Sequence, residues 1–147
     1  MDQLNFPGYS FRTKSNEKQA AIFDVVRKKF VVLTPEEWVR QHVVQYLHQD
    51  LRYPLSWINV EKQLKVAGLS KRYDVVVYDA HGKVQLMVEC KAPSVKITQS
   101  TFDQIARYQM ALKARYLMVT NGLDHYYCQL DPDKEGYRFL PSLPAYE

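Results

Sequence analysis

The sequence predicts a mixed α/β domain: a β-sheet flanked by helices, in the order helix, three strands, helix, two strands. Three observations carry this. A capped helix start stands at Thr34-Pro35-Glu36-Glu37. Three runs rich in β-branched and aromatic residues then follow one another between Ile58 and Cys90 with short breaks. A stretch of helical period separates the third run from the fourth, which implies a crossover and makes the sheet mixed.

Taken in order, residues 1–20 are polar and aromatic without a steady period and are expected as an arm or an edge. Ala21-Ile22-Phe23 and Lys29-Phe30-Val31-Val32-Leu33 read as short β runs flanking the basic cluster Arg27-Lys28-Lys29. Thr34 suits an N-cap, Pro35 the first helical position, and Glu37 the third place after the cap. That helix should reach about Gln49, with Val39, Val43, Tyr46 and Leu47 as its buried stripe. Tyr53-Pro54 prevents its continuation.

Ile58 to Val66 reads as a strand and Gly68-Leu69-Ser70 as a turn. Tyr73 to Tyr78, the tight connection His81-Gly82, and Val84 to Cys90 complete an antiparallel meander. Residues 99–114 read as the second helix, with Phe102, Ile105, Ala106 and Leu112 on one side. Tyr116 to Thr120 is a strand closed by Asn121-Gly122. Tyr126 to Leu130 and Tyr137 to Leu140 form a terminal hairpin around Asp131-Pro132-Asp133. The 147 residues read as a single domain, with a core over about 22–130 and a hairpin and tail over 131–147.

Composition narrows the function classes. The chain is 46% hydrophobic and 24% charged, which excludes a disordered tail or a coiled coil. Twenty Lys and Arg against 16 Asp and Glu give a net +4, which permits a polyanionic partner without requiring one. Cys90 and Cys128 are too few and too far apart for a disulfide framework or a zinc site, so a cytoplasmic location is expected. No signal-like or membrane-length apolar run occurs, so no membrane contact is expected. No phosphate-loop pattern occurs either.

The chemistry concentrates around the meander. Asp74 lies on one strand and Glu89 and Lys91 near the end of the next. Strand alternation puts Glu89 and Lys91 on one face and Cys90 on the other. Adjacent strands can bring Asp74 and Glu89 side by side, and two close carboxylates are costly unless a cation sits between them. Mg²⁺, or Mn²⁺ in its place, fits, since a hard cation takes carboxylate oxygens and leaves positions for water and phosphate. Lys91 adds a positive charge beside it. The reaction class is metal-assisted phosphodiester hydrolysis. Glu37 could reach the metal directly or through water, and equally serves the helix cap; Glu36 is the alternative. Gln104 and Tyr108, at i and i+4, share one face of the second helix.

Asp74, Glu89-Cys90-Lys91 and Gln104-Ile105-Ala106-Arg107-Tyr108 together resemble the PD-(D/E)xK nuclease superfamily in the form that carries a Q-x-x-x-Y motif. More narrowly, Leu33 to Gln41, Lys71 to Asp74, Val88 to Pro93 and Val119 to Gly122 resemble the N-terminal nuclease domain of type I restriction enzyme R subunits. Tyr73 stands where the superfamily's name places proline. The resemblance implies a restriction-endonuclease-like core with a Mg²⁺ site. Asp74, Glu89 and the Cys90 backbone carbonyl would be metal ligands, Lys91 the catalytic lysine and Glu37 the helix-borne acid. Gln104, Tyr108 and Arg72 would contact nucleic acid; Lys71, in the basic pair with Arg72, and Arg40 are further expected contacts. The implied partner is DNA, with a helicase or a restriction-modification complex beside it; a homodimer is expected separately, because nucleases that cut both strands often pair two sites by symmetry. R subunits carry a translocase after this domain. That keeps open a second reading, a binding module of a larger restriction or repair complex, beside that of an autonomous nuclease.

Overall fold

The computed structural model describes residues 1–131 and 136–146. Three short strands come first: β1 (Thr13–Ser15), β2 (Ala20–Asp24) and β3 (Lys29–Val32), an antiparallel sheet in that order. Helix α1 (Pro35–Gln45) follows. Its Thr34 Oγ1 accepts the Glu37 N–H at 3.0 Å, the N-cap that the sequence predicts. The helix widens into a π-helical turn over Tyr46–Asp50, closed by Leu51 N–H on the Tyr46 carbonyl.

Strands β4 (Ile58–Val66), β5 (Leu69–Tyr78) and β6 (Val84–Cys90) form the meander. Helix α2 (Gln99–Gln109) carries the chain across to β7 (Tyr116–Thr120), which pairs parallel with β6. Then β8 (His125–Asp131) and β9 (Gly136–Leu140) add antiparallel partners. The result is a six-stranded mixed sheet in the order β4-β5-β6-β7-β8-β9. The terminal hairpin is present, while Pro132 and Asp133 of its turn lie outside the described residues.

One placement is corrected. The β4–β5 turn is Ala67-Gly68, not Gly68-Leu69-Ser70. Both turn residues have positive φ (51° and 80°), the geometry of a two-residue primed turn whose twist matches the strands. Leu69 and Ser70 already pair with Val66 and Lys65.

Each face of the large sheet buries one core. Val39, Val43 and Leu47 of the α1 segment pack on Val75, Val77, Leu86 and Val88. Phe102 and Ala106 of α2 pack on Val76, Met87, Leu117 and Val119. The N-terminal segment, expected as arm or edge, supplies the edge strand β1 and also a core residue, Leu4. Asn5 N–H bonds the Gly122 carbonyl at 2.8 Å, which seats Leu4 over that glycine. Gly122 has φ +88°, and an added Cβ would lie 2.8 Å from Leu4 Cδ2 and 3.1 Å from Val39 Cγ2. Gly122→Ala should therefore cost about 1–3 kcal/mol, from backbone strain and overpacking together. Chemical denaturation reads this out; a change under ~0.5 kcal/mol would contradict it.

Candidate active site

β5 and β6 pair as far as Val75 and Val88 and there they part. Beyond that point β5 stays with β4 and β6 stays with β7, out to Cys90 against Thr120. Asp74 is the first β5 residue past this fork. Its Oδ2 accepts the Cys90 N–H at 2.8 Å, so a side chain satisfies a donor that a regular ladder would leave to the backbone. The pleat slips here as well. Tyr73 packs in the α2 core and Val75 in the α1 core, although residues two apart on a regular strand share a face. On the other flank, Glu61 stands opposite Asp74 between the pairs Val60–Val75 and Lys62–Tyr73, with φ of 55°. A non-glycine residue in the left-handed region costs about 1–2 kcal/mol.

Glu89, across the fork, shares a hydrogen bond with Asp74. Burial, then the charge of Asp74, push its carboxyl from the ordinary 4.5 up to about 8. At neutral pH the Glu89 carboxyl therefore keeps its proton. The raised value means that the folded chain binds this proton more tightly than the unfolded chain. The stabilisation is fully present below pH 4.5 and is lost as pH rises to about 8. Glu89→Gln keeps a donor toward Asp74 and removes the titration. The variant should gain on the order of 2 kcal/mol over wild type between pH 5 and pH 8.5, after discounting for partial exposure. Denaturation midpoints that run parallel across that range would refute it.

The acids of the site converge on Arg40. Its Nη2 lies 2.8 Å from Asp74 Oδ1, 2.9 Å from Glu61 Oε1 and 3.3 Å from Glu36 Oε1, and its Nη1 lies 2.7 Å from Glu37 Oε1. Burial alone would lower the pKa of this guanidinium; the hydrogen bond to Asp74 and the charges of Glu37 and Asp74 outweigh it and raise the pKa. This corrects the sequence reading of Arg40 as a nucleic-acid contact. The side chain is 7% exposed and is held by four carboxylates instead.

Glu37 is likewise engaged inside the protein. Its carboxylate takes Arg27 Nη2 at 2.8 Å, Arg40 Nη1 at 2.7 Å and Gln41 Nε2 at 3.0 Å. Asp24, fully buried, completes this network through Arg27 and Gln41. The helix-borne acid that feels the fork is Glu36. Its carboxyl is raised by burial and by Asp74, and it also lies within electrostatic reach of Lys91 and Glu61.

Lys91 is partly buried, and its N–H donates to the Thr120 carbonyl at 2.8 Å. Its charge acts on both Glu36 and Glu89. The Cys90 side chain points into the α1 core, where burial pushes the thiol far up and leaves it unreactive. Gln104 is exposed on α2. One turn on, Tyr108 lies under the Lys71 ammonium, 4.1 Å from the ring centre. Arg72 is 63% exposed and reaches Glu61 Oε2 at 3.3 Å. Among the described residues, no three His, Cys, Asp or Glu side chains converge to hold a metal by themselves. Glu61 is the site residue that sequence reasoning missed.

A mixed sheet with a helix on each face, opened by a fork that gathers Asp74, Glu89 and Lys91, has the architecture of a restriction-endonuclease-like α/β domain. The family model of the type I restriction enzyme R protein N terminus matches residues 35–144, and the chain belongs to that family. The match takes in both helices and the whole large sheet and begins after β3. No curated protein matches the chain. Among the described residues, no helix is long and apolar enough to cross a membrane.

Proposed function

We propose that the protein is a metal-dependent nuclease that hydrolyses DNA phosphodiester bonds at the β5–β6 fork. The observation that carries this is the opposed pair Asp74 and Glu89, with Glu89 raised to about 8 and Lys91 beside it. A proton now offsets the repulsion of two carboxylates, and a divalent cation would offset it better. The donor set fits such an ion: two carboxylates and the Cys90 carbonyl are all hard oxygen ligands, with Glu36 in reach through water. Bound there, Mg²⁺ or Mn²⁺ would acidify a water and stabilise charge on the scissile phosphate.

The chain's own residues do the rest. The Cys90 N–H and Arg40 fix the two oxygens of Asp74, so the carboxylate is oriented before any ligand arrives. Lys91 supplies a fixed positive charge where negative charge develops on the phosphate. Glu36, itself raised, can take a proton from water approaching the phosphate. Gln104, Tyr108 with Lys71 over its ring, and Arg72 beside Glu61 present polar and charged groups that suit contact with the nucleic-acid backbone.

The test is loss of supercoiled plasmid with Mg²⁺ or Mn²⁺, beside an EDTA control and Asp74→Asn. Cleavage that needs metal and fails in the variant is the expected result. Metal-independent cleavage, or full activity of the variant, would overturn the site. One observation favours a second reading. Arg40 already occupies Asp74 Oδ1, which suits a module whose site is completed inside a larger restriction complex. No cleavage by the isolated chain, with cleavage restored by a translocating partner, would select that reading.

A further inference from the structure

The three-stranded sheet precedes the span that matches the family. Residues 10–33, which contain it, hold six cations, Arg12, Lys14, Lys18, Arg27, Lys28 and Lys29, against Glu17 and Asp24. Their excess of four equals the net +4 of the whole chain, so the rest of the sequence is electrically balanced. Asp24 is buried, and Arg27 is bound to it and to Glu37. Among the described residues, none of the other five cations forms an ion pair.

The register says where this charge points. Phe23 pairs with Phe30, and its N–H bonds the Arg12 carbonyl, so these three share a rung. Lys14 pairs with Ala21 and Ala21 with Val32, two residues along and therefore on the same face. Ile22 and Asp24, on the opposite face, are buried. Arg12, Lys14, Phe23 and Phe30 therefore face outward, and Arg12 and Lys14 are exposed.

The Arg12 guanidinium lies 4.6 Å from the Phe23 ring centre and 5.6 Å from that of Phe30, and the Lys14 ammonium lies 4.3 Å from Phe30. Two flexible side chains are thus held in place on aromatic rings before anything binds. Since cations already cover these ring faces, the surface offers fixed charge and not a stacking platform for bases. The sheet is braced against the site helix by Arg27, which bonds Glu37, the neighbour of Glu36.

We propose that this outer face docks the phosphate backbone of duplex DNA and holds it beside the fork; the proposal rests on the reading of the domain as one that acts on DNA. Phosphate neutralisation makes binding salt-dependent, with a log–log slope of about −0.9 for each contact. The test is fluorescence anisotropy of a short labelled duplex with the full chain, in EDTA and over a salt series. Arg12→Ala/Lys14→Ala is compared with Lys83→Ala/Lys113→Ala, which removes equal charge elsewhere.

The first pair should flatten the slope by about 1.8 and weaken binding roughly tenfold at moderate salt, while the second keeps the wild-type slope. Equal slopes for the two pairs, or no duplex binding by wild type, would overturn the proposal. So would tighter binding of a single strand that Phe23→Leu abolishes, which would make the face a base-stacking surface. Cleavage is scored separately. A flattened slope without cleavage keeps the platform and removes the autonomous nuclease, and cleavage with equal slopes does the reverse.

Discussion

Lys91→Ala should slow metal-dependent DNA cleavage by about 10²–10⁴-fold, the range expected when a charge-stabilising or proton-transfer group is removed. It should leave the fold in place. The backbone bond that fixes residue 91, from its N–H to the Thr120 carbonyl, does not depend on the side chain. The side chain is only partly buried, so its loss should shift Tm by no more than about 2–4 °C. Lys91 also lowers the carboxyls of Glu36 and Glu89, against the burial that raises both. Without it both acids hold their protons more tightly, so the variant's activity should recover in part as pH rises. Single-turnover cleavage of supercoiled plasmid across pH 6 to 9, with melting curves of the same samples, checks both statements. A variant that cuts at the wild-type rate would remove Lys91 from the chemistry. One that loses its fold would make the residue structural.

What the sequence made legible was what depends on near neighbours. The α1 cap is written in four consecutive residues and forms as they dictate, Thr34 Oγ1 to Glu37 N–H. Asp74 and Glu89 meet because one hairpin joins their strands, and the tight β5–β6 connection fixes which residues face each other. The other half of the meander shows how little error is needed to hide a residue. A turn centred on Leu69 would set Asp74 opposite Leu64. The actual turn, Ala67-Gly68, sets it opposite Glu61 and brings a third acid to the fork.

Glycine and serine marked the neighbourhood of that turn, but only the backbone geometry, with Ala67 itself at positive φ, fixes its centre. Arg40 and Leu4 fail for a different reason. Each is defined by partners remote in sequence. Arg40 meets Glu61 and Asp74 from the sheet, and Leu4 lies on Gly122, 118 residues away. A charge on a helix then reads as a nucleic-acid contact, and an apolar residue in a polar segment reads as part of an arm.

The second large effect follows from Arg40. Arg40→Ala should destabilise the protein by about 3–5 kcal/mol, the range for removing one partner from a buried ion cluster. The loss is not the worth of one ion pair. It is the cost of leaving Asp74, Glu37 and Glu61 facing one another without their common cation, since Arg40 supplies a hydrogen bond or ion pair to each. Arg40→Met restores the packing of the stem but not the charge, so it should recover less than half of the deficit. Arg40→Lys keeps the charge but offers one ammonium where a planar fork now bonds Glu37 from one nitrogen and Asp74 from the other. It should fall between. Acid should narrow the gap between Arg40→Ala and wild type, because the Glu36 carboxyl, raised by burial and by Asp74, takes up a proton as pH falls and no longer repels its neighbours. Urea denaturation of the three variants at pH 7.5 and pH 5 measures all of this. A cost for Arg40→Ala below ~1 kcal/mol, independent of pH, would mean that the carboxylates find water or other cations. Arg40 would then not be what holds the acids of the fork together.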